Sequence, residues 1–454
     1  MSRYLKLLGI IWGSLVLAGT AGAGSNTSLV EQEGDLNLAR VEQVQPNLNE
    51  SAIYQTGDEN RASVFQEGRE SASLAEIVQE GDLNRAETVQ SGQAAANEYH
   101  LQQNGAWNEA MVRQEGWETA NQAWVGQAGL DNRVEARQDQ ERNNNRVMIA
   151  QVGEGNLARA VQEGRESTNE VVLFQAGWRN EAEVNQGQEG NHNRAMVLQA
   201  DARNQARVDQ EGQGTVNEAL LVQTGWKNRA EVSQDGSGNY NRAAAAQTGE
   251  ENLILVGQSG QGTVNRALVG QEGWKNQAEV GQAGVGNDNR AEVLQADAKN
   301  LAQAFQAGQG TVNRTLAVQV GWKNRVEVCQ DGAGNDNRAK TVQVGDLNQT
   351  QTVQEGQGTV NRAELDQAGF NNLADLAQEG EDGFNSADID QIGIGVSNLA
   401  EIYQETEGGG ENLASVFQAG QGNTALVAQS SLGMAAAAEI SQSGAWNAAS
   451  IVQD

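Results

Sequence analysis

From Asn26 onward the chain repeats one short pattern, Asn-x-Ala-x-aliphatic-x-Gln, in which every second residue is constrained. Two adjacent copies read Asn217-Ala219-Leu221-Gln223 and Asn228-Ala230-Val232-Gln234. A period of two belongs to a β-strand, because successive strand side chains point to opposite faces, whereas a helix would repeat at 3.6. The four side chains of a unit therefore share one face, and Arg229, Glu231 and Ser233 point the other way. The Gln recurs at 32, 43, 55, 66, 79 and 90 and continues to 418, 429, 442 and 453, about 36 times in all.

Successive Gln residues are alternately 11 and 13 apart over most of the length, as at Gln210, Gln223, Gln234, Gln247, Gln258 and Gln271. One structural period is therefore 24 residues, two units long. A weaker period of 48 overlies it, seen in Trp178, Trp226, Trp274 and Trp322 and in the QGTVN stretches starting at 213, 261, 309 and 357. Short linkers separate the strands, with Gly two residues after the Gln and, in the longer form, usually four after it as well. Glycine tolerates positive φ, so Gly212, Gly214, Gly225, Gly236, Gly273 and Gly321 are expected to turn tight arcs.

Strand, arc, strand and arc in 24 residues make one coil of an all-β, parallel β-solenoid, each strand pairing with its equivalents in the coils above and below. The repeat predicts about 17 to 18 coils. The two strands of a coil cross the core in opposite directions, so Asn217, Ala219, Leu221 and Gln223 should face Gln234, Val232, Ala230 and Asn228. Small then opposes large, as in a dry steric zipper. Pro46 lies where the spacing slips to 12, as befits a residue that cannot donate to a ladder.

Buried amides are costly unless hydrogen-bonded, and stacking one per coil lets each bond its own equivalent. The stacked residues expected in the first half are Asn156, Gln162, Asn180, Gln186, Asn193, Gln199, Asn204, Gln210, Asn217 and Gln223. Further along they are Asn228, Gln234, Asn241, Gln247, Asn265, Gln271, Asn289, Gln295, Asn313, Gln319, Asn337, Gln343, Asn361 and Gln367. Asn holds its position in every unit but those with Ser73 and Ala436, a constancy that a flexible polar tract would not need.

Composition alone would have suggested disorder, since Gly, Gln, Asn and Glu abound and the formal net charge is −30. That acidic balance argues against nucleic acid, which is bound by clustered Lys and Arg. The start, with Arg3 and Lys6, an apolar run from Leu7 to about Ala18 and small residues at Ala21 and Ala23, reads as a signal peptide over 1–23. The run is shorter than the ~20 residues of a membrane span. Residues 24–454 then form one repeat domain, irregular near 391–418 where the arc ETEGGGEN is enlarged. A single cysteine, Cys329, leaves no internal disulfide to staple it.

The repeat resembles the curlin repeat, Ser-x5-Gln-x-Gly-x2-Asn-x-Ala-x3-Gln. Residues 73–90 carry it as Ser73, Gln79, Gly81, Asn84, Ala86 and Gln90, and the resemblance extends over residues 26–453, mostly with Asn in place of the leading Ser. It implies a subunit of curli-type functional amyloid: a homopolymer at the surface and in the biofilm matrix of a Gram-negative bacterium, served by a nucleator and an outer-membrane secretion apparatus. Two departures are a chain longer than an ordinary curli subunit and a first repeat, Asn26 to Gln32, that begins beside the expected cleavage site, where such subunits carry a non-repeating segment.

Nothing in the repeat gathers catalytic groups. His100 and His192 do not recur, the carboxylates follow the repeat without forming a paired cleft, and Cys329 sits at an outward position, so no enzymatic activity and no cofactor are expected. The arcs GVGNDN and GAGNDN offer oxygen ligands but lack the GGxGxD run of calcium-binding β-rolls. With the ladder running to Gln453, neither end looks capped, which points to end-to-end stacking. The alternative is a monomeric solenoid used as an adhesin or surface-binding rod, and the third reading is a disordered tract. Arg242, Arg266, Arg290, Arg314, Arg338 and Arg362 fall in one column, a solvated face or a site for an anionic partner such as matrix polysaccharide.

Overall fold

The computed structural model describes residues 5–10, 26–44, 48–69, 72–93, 96–118, 120–142, 144–187, 189–393 and 397–453. It is an all-β parallel solenoid of about 17 coils, about 24 residues per turn, without a helix among the described residues. Pro46 and most of residues 1–23, including the expected cleavage site at Ala23–Gly24, lie outside the described residues. Leu5–Ile10 pairs antiparallel with Leu38–Val44.

The chain divides into two compact units, residues 1–227 and 228–454. In the first, one parallel ladder contains Ala96–Ala106, Ala120–Leu130, Asn144–Glu154, Thr168–Trp178 and His192–Ala202. The other contains Arg133–Glu141, Leu157–Glu163, Glu181–Gln186 and Gln205–Gln210. Register is set by the repeat: Asn145 lies beside Asn169 and Gln151 beside Gln175.

The second unit repeats this plan with Val264–Trp274, Asp288–Ala298 and Val312–Trp322 in one ladder and Leu253–Gln258, Gln277–Gln282 and Leu301–Gln306 in the other. Along Val264–Trp274 the residues Asn265, Ala267, Val269 and Gln271 are buried while Arg266, Leu268 and Glu272 are exposed. Each fully buried Val, Leu or Ile contributes about 1.5–3 kcal/mol relative to exposure. Alternation of Ala with these larger residues keeps the core thin.

The shorter arc is less of a loop than its sequence suggests. Val264–Trp274 runs straight through Gly273, and the chain reverses over Lys275 and Asn276 before Gln277–Gln282. Longer arcs also join the ladder, through single bridges from Ser237 to Gln261, Val285, Gln309 and onward. Through the enlarged units near 391–418 the strands still pair coil to coil. Leu373 pairs with Leu399 and Phe384 with Glu411, and register is recovered.

Candidate functional site: stacked amides and the faces around them

The Gln ladder satisfies every polar group of its side chain. In the second unit Gln258 accepts at Oε1 from Nε2 of Gln234 (2.8 Å) and donates from Nε2 to Oε1 of Gln282 (2.8 Å). Its second amide proton crosses the core to the Arg242 carbonyl, 3.1 Å away. The facing ladder through Gln247, Gln271, Gln295, Gln319, Gln343 and Gln367 is built alike, with links of 2.7–3.0 Å. In the first unit Gln162 donates to Gln186 and Gln186 to Gln210, while Gln175 donates to Gln199 and Gln199 to Gln223.

Asparagines stack in two different ways. Those inside strands donate toward the preceding coil: Asn265 to Asn241 at 2.9 Å, Asn289 to Asn265 at 3.0 Å, and so on through Asn313, Asn337 and Asn361. In the first unit Asn217 donates to Asn193. Asparagines closing the shorter arc act as clamps. Asn252 donates to the Thr248 carbonyl of its own arc (3.3 Å) and to the Gly273 carbonyl of the next (3.0 Å), and its Oδ1 receives the Asn276 backbone N–H. Asn228 likewise reaches the Gly249 carbonyl. Asn156, Asn180 and Asn204 form the same clamp series, Oδ1 of each of the first two accepting from the next backbone N–H.

All the ladder residues expected from the sequence are buried, including Gln210, Gln223 and Gln234. The arc glycines take positive φ, 106° at Gly225 and 127° at Gly236, with Gly212 at 122°, Gly214 at 61°, Gly273 at 111° and Gly321 at 114°. A Cβ at Gly321 would collide with the Gly345 carbonyl one coil on, so space as well as φ demands glycine there. Asp201 and Asp297 replace this glycine and adopt φ 70°. Sequence reasoning missed that the residue before each clamp asparagine is also left-handed, as at Lys275 (56°), Lys299 and Lys323 (58° each).

The ladder has weak places. Asn97, Asn121 and Asn145 are buried with amides that find no hydrogen-bond partner among the described residues, and so are the hydroxyls of Thr341, Thr350 and Thr352. Those three threonines replace core aliphatics within one coil, next to Ala317, Val326 and Val328.

Outside, cations lie over the tryptophan faces of the shorter arcs. Arg179 and Arg203 flank Trp178 at 4.4 and 4.6 Å, and Lys275 and Lys299 flank Trp274 at 4.4 and 4.8 Å. Spacing of 48 residues showed the tryptophans, but not that neighbouring coils supply the cations. His100 hydrogen-bonds Glu76 (2.9 Å) and Glu98 (3.0 Å). Desolvation lowers its pKa, but those bonds and charges prevail and hold it above the ordinary value. Burial, then Glu355, Asp331 and Glu327, push the Cys329 thiol up, which disfavours the reactive thiolate.

In the arc GVGNDN, Asn287 spends its amide on the Ala283 and Gly308 carbonyls. No group of three or more His, Cys, Asp or Glu side chains is placed to hold a metal ion among the described residues. His192, on an exposed strand position, stands apart from any such group. No family model matches the chain, and no curated protein is significantly similar to it.

Proposed function

We propose that this chain is a secreted structural protein whose copies stack coil on coil into an extracellular fibre, as the resemblance to curlin repeats implies. The observation that carries this reading is the uniform direction of the glutamine ladder. Gln234 donates to Gln258, Gln258 to Gln282 and Gln282 to Gln306, while Asn265 donates back to Asn241 and Asn289 to Asn265, so one side of a coil offers glutamine donors and asparagine acceptors and the other side the reverse. A coil face of this fold is therefore complementary to the opposite face of an identical coil, and an uncovered one is a template for a second copy. In such a fibre the ladder amides make the junction, and the Ala and aliphatic layers extend the core.

Adhesion and matrix roles follow from a fibre that presents the same outer faces many times over. The test is assembly of the purified mature chain, followed by sedimentation velocity and electron microscopy over a rising concentration series. Filaments that bind thioflavin and seed further growth are expected. Persistent monomers at high concentration would overturn the reading.

A further inference from the structure

We infer that the second unit binds a linear acidic polysaccharide along the column Arg242, Arg266, Arg290, Arg314, Arg338 and Arg362, one uronate carboxylate per coil. Each of these arginines lies directly beside the next in parallel register, and all six are exposed. Their spacing is that of paired strands, ~4.8 Å.

A stack of like charges is destabilising in a sheet, so its presence calls for a counter-charge. The same repeat position in the first unit shows the ordinary solution. There Arg146 and Arg194 flank Glu170, at 3.9 and 3.3 Å, and charges alternate. In the second unit the alternation is gone. Arg290 pairs with Glu292 at 3.7 Å and Arg338 with Asp336 at 3.4 Å, but Arg266 and Arg314 have no ion-pair partner among the described residues.

The flanks of those two arginines are apolar, Val264 and Leu268 beside one, Val312 and Leu316 beside the other. A groove of about 650 Å³ follows Arg290, Arg314, Arg338 and Arg362 and is also lined by Lys340 and by the carboxylates of Glu292, Glu364 and Asp388, so cations outnumber anions there; another of about 390 Å³ follows Arg242, Arg266 and Arg290, so the two share Arg290.

Guanidinium binds carboxylate bidentately, and a repeating column selects a repeating ligand. The rise per coil, ~4.8 Å, is close to the length of one pyranose residue in an extended chain, and Val264, Leu268, Val312 and Leu316, which alternate with Asp288 and Glu292 in the intervening coil, offer apolar contacts to the C–H faces of sugar rings. Nucleic acid fits less well, since its phosphates rise only ~3.4 Å per nucleotide along a B-form strand. Repulsion from the net charge of −30 is screened beyond a Debye length of about 8 Å at physiological salt, so binding is decided by the charges that line the groove, where the arginines and Lys340 outnumber Glu292, Glu364 and Asp388.

This inference does not rest on fibre formation, because a monomer carries the whole column. The experiment is titration of full-length protein, at concentrations where sedimentation shows monomer, with polymannuronate at ~0.05 and ~0.15 M salt. Salt-sensitive binding is expected, weakened about tenfold or more by Arg266→Gln with Arg314→Gln and unchanged by Lys299→Gln with Lys323→Gln on the shorter arc. Circular dichroism checks each fold, and Arg290→Gln with Arg338→Gln probes the same groove should the first pair misfold. No binding at low salt, binding by both arginine variants as tight as that of the parent chain, or single-stranded DNA binding as tightly would overturn the inference.

Discussion

Gln258 and Gln282, directly beside each other in neighbouring coils, share a 2.8 Å amide hydrogen bond while each also bonds a carbonyl across the core, that of Arg242 and Arg266 respectively. Both are buried, and neither has an unused proton in the interior of the ladder. This pair turns a side chain that normally seeks water into a structural element, because every coil supplies what its neighbour lacks.

Replacing Gln282 with leucine should therefore cost about 1–3 kcal/mol, as it orphans one proton of Gln258 and the acceptor of Gln306. Gln282→Glu should be worse at neutral pH and recover on acidification, since a protonated carboxyl regains a donor. Chemical denaturation of the two variants at about pH 7 and about pH 4, on either side of the carboxyl's titration, checks this. A Gln282→Leu chain as stable as the parent would count against the ladder.

Threonine-to-valine changes at Thr350 and Thr352 should stabilise the chain by about 1 kcal/mol each. Their hydroxyls are buried without a partner among the described residues, beside Val326 and Val328 in the adjacent coil. The midpoint of thermal unfolding should rise, and a fall would show that the hydroxyls are satisfied in solution.

Buried but unpartnered amides should behave unlike stacked ones. Asn121→Val is expected to be neutral or mildly stabilising, because both amide atoms of Asn121 lack partners among the described residues. Asn289→Val removes the bonds to Asn265 and Asn313 and should cost about 1–3 kcal/mol. Equal effects in denaturant melts would contradict the distinction.

Acidification should stabilise one cluster in the second unit. Burial, then the charges of Asp390, Glu364 and Asp366, raise the pKa of Asp388, and burial followed by Asp366 and Glu364 raises that of Asp390. Between the ordinary carboxylate value, about 3.9, and these raised values the folded chain holds more protons than the unfolded one. Stability from these groups is therefore gained as pH falls through the raised values and is lost as pH rises through them. Asp388→Asn with Asp390→Asn should raise the melting midpoint at about pH 7 and leave it nearly unchanged near pH 4. The opposite pattern would refute the assignment. Lower pH and added salt should also speed assembly, by weakening repulsion between acidic coils.

The alternation of Asn265, Ala267, Val269 and Gln271 made the strand, its buried face and the coil length legible, because burial and pleat share a period of two. Gly273 and Gly321 marked the arcs for the same reason that they are needed there, positive φ under close approach of the next coil. What stayed hidden depends on neighbours 24 residues away. Lys275 carries no local sign of its left-handed backbone, and Asn252 and Asn265 look alike in sequence although one clamps an arc and the other donates along a strand. The arginine column of the second unit was legible from the 24-residue spacing, but not its ion pairing: Arg146 and Arg194 share Glu170 in the first unit, whereas Arg266 and Arg314 have no ion-pair partner among the described residues.

The most direct test of end-to-end stacking is a cryo-electron microscopy reconstruction of filaments grown from the mature chain. One uninterrupted stack at ~4.8 Å is expected, with glutamine ladders continuing from one molecule into the next. Filaments whose junctions break the ladder, or a chain that forms none, would contradict it.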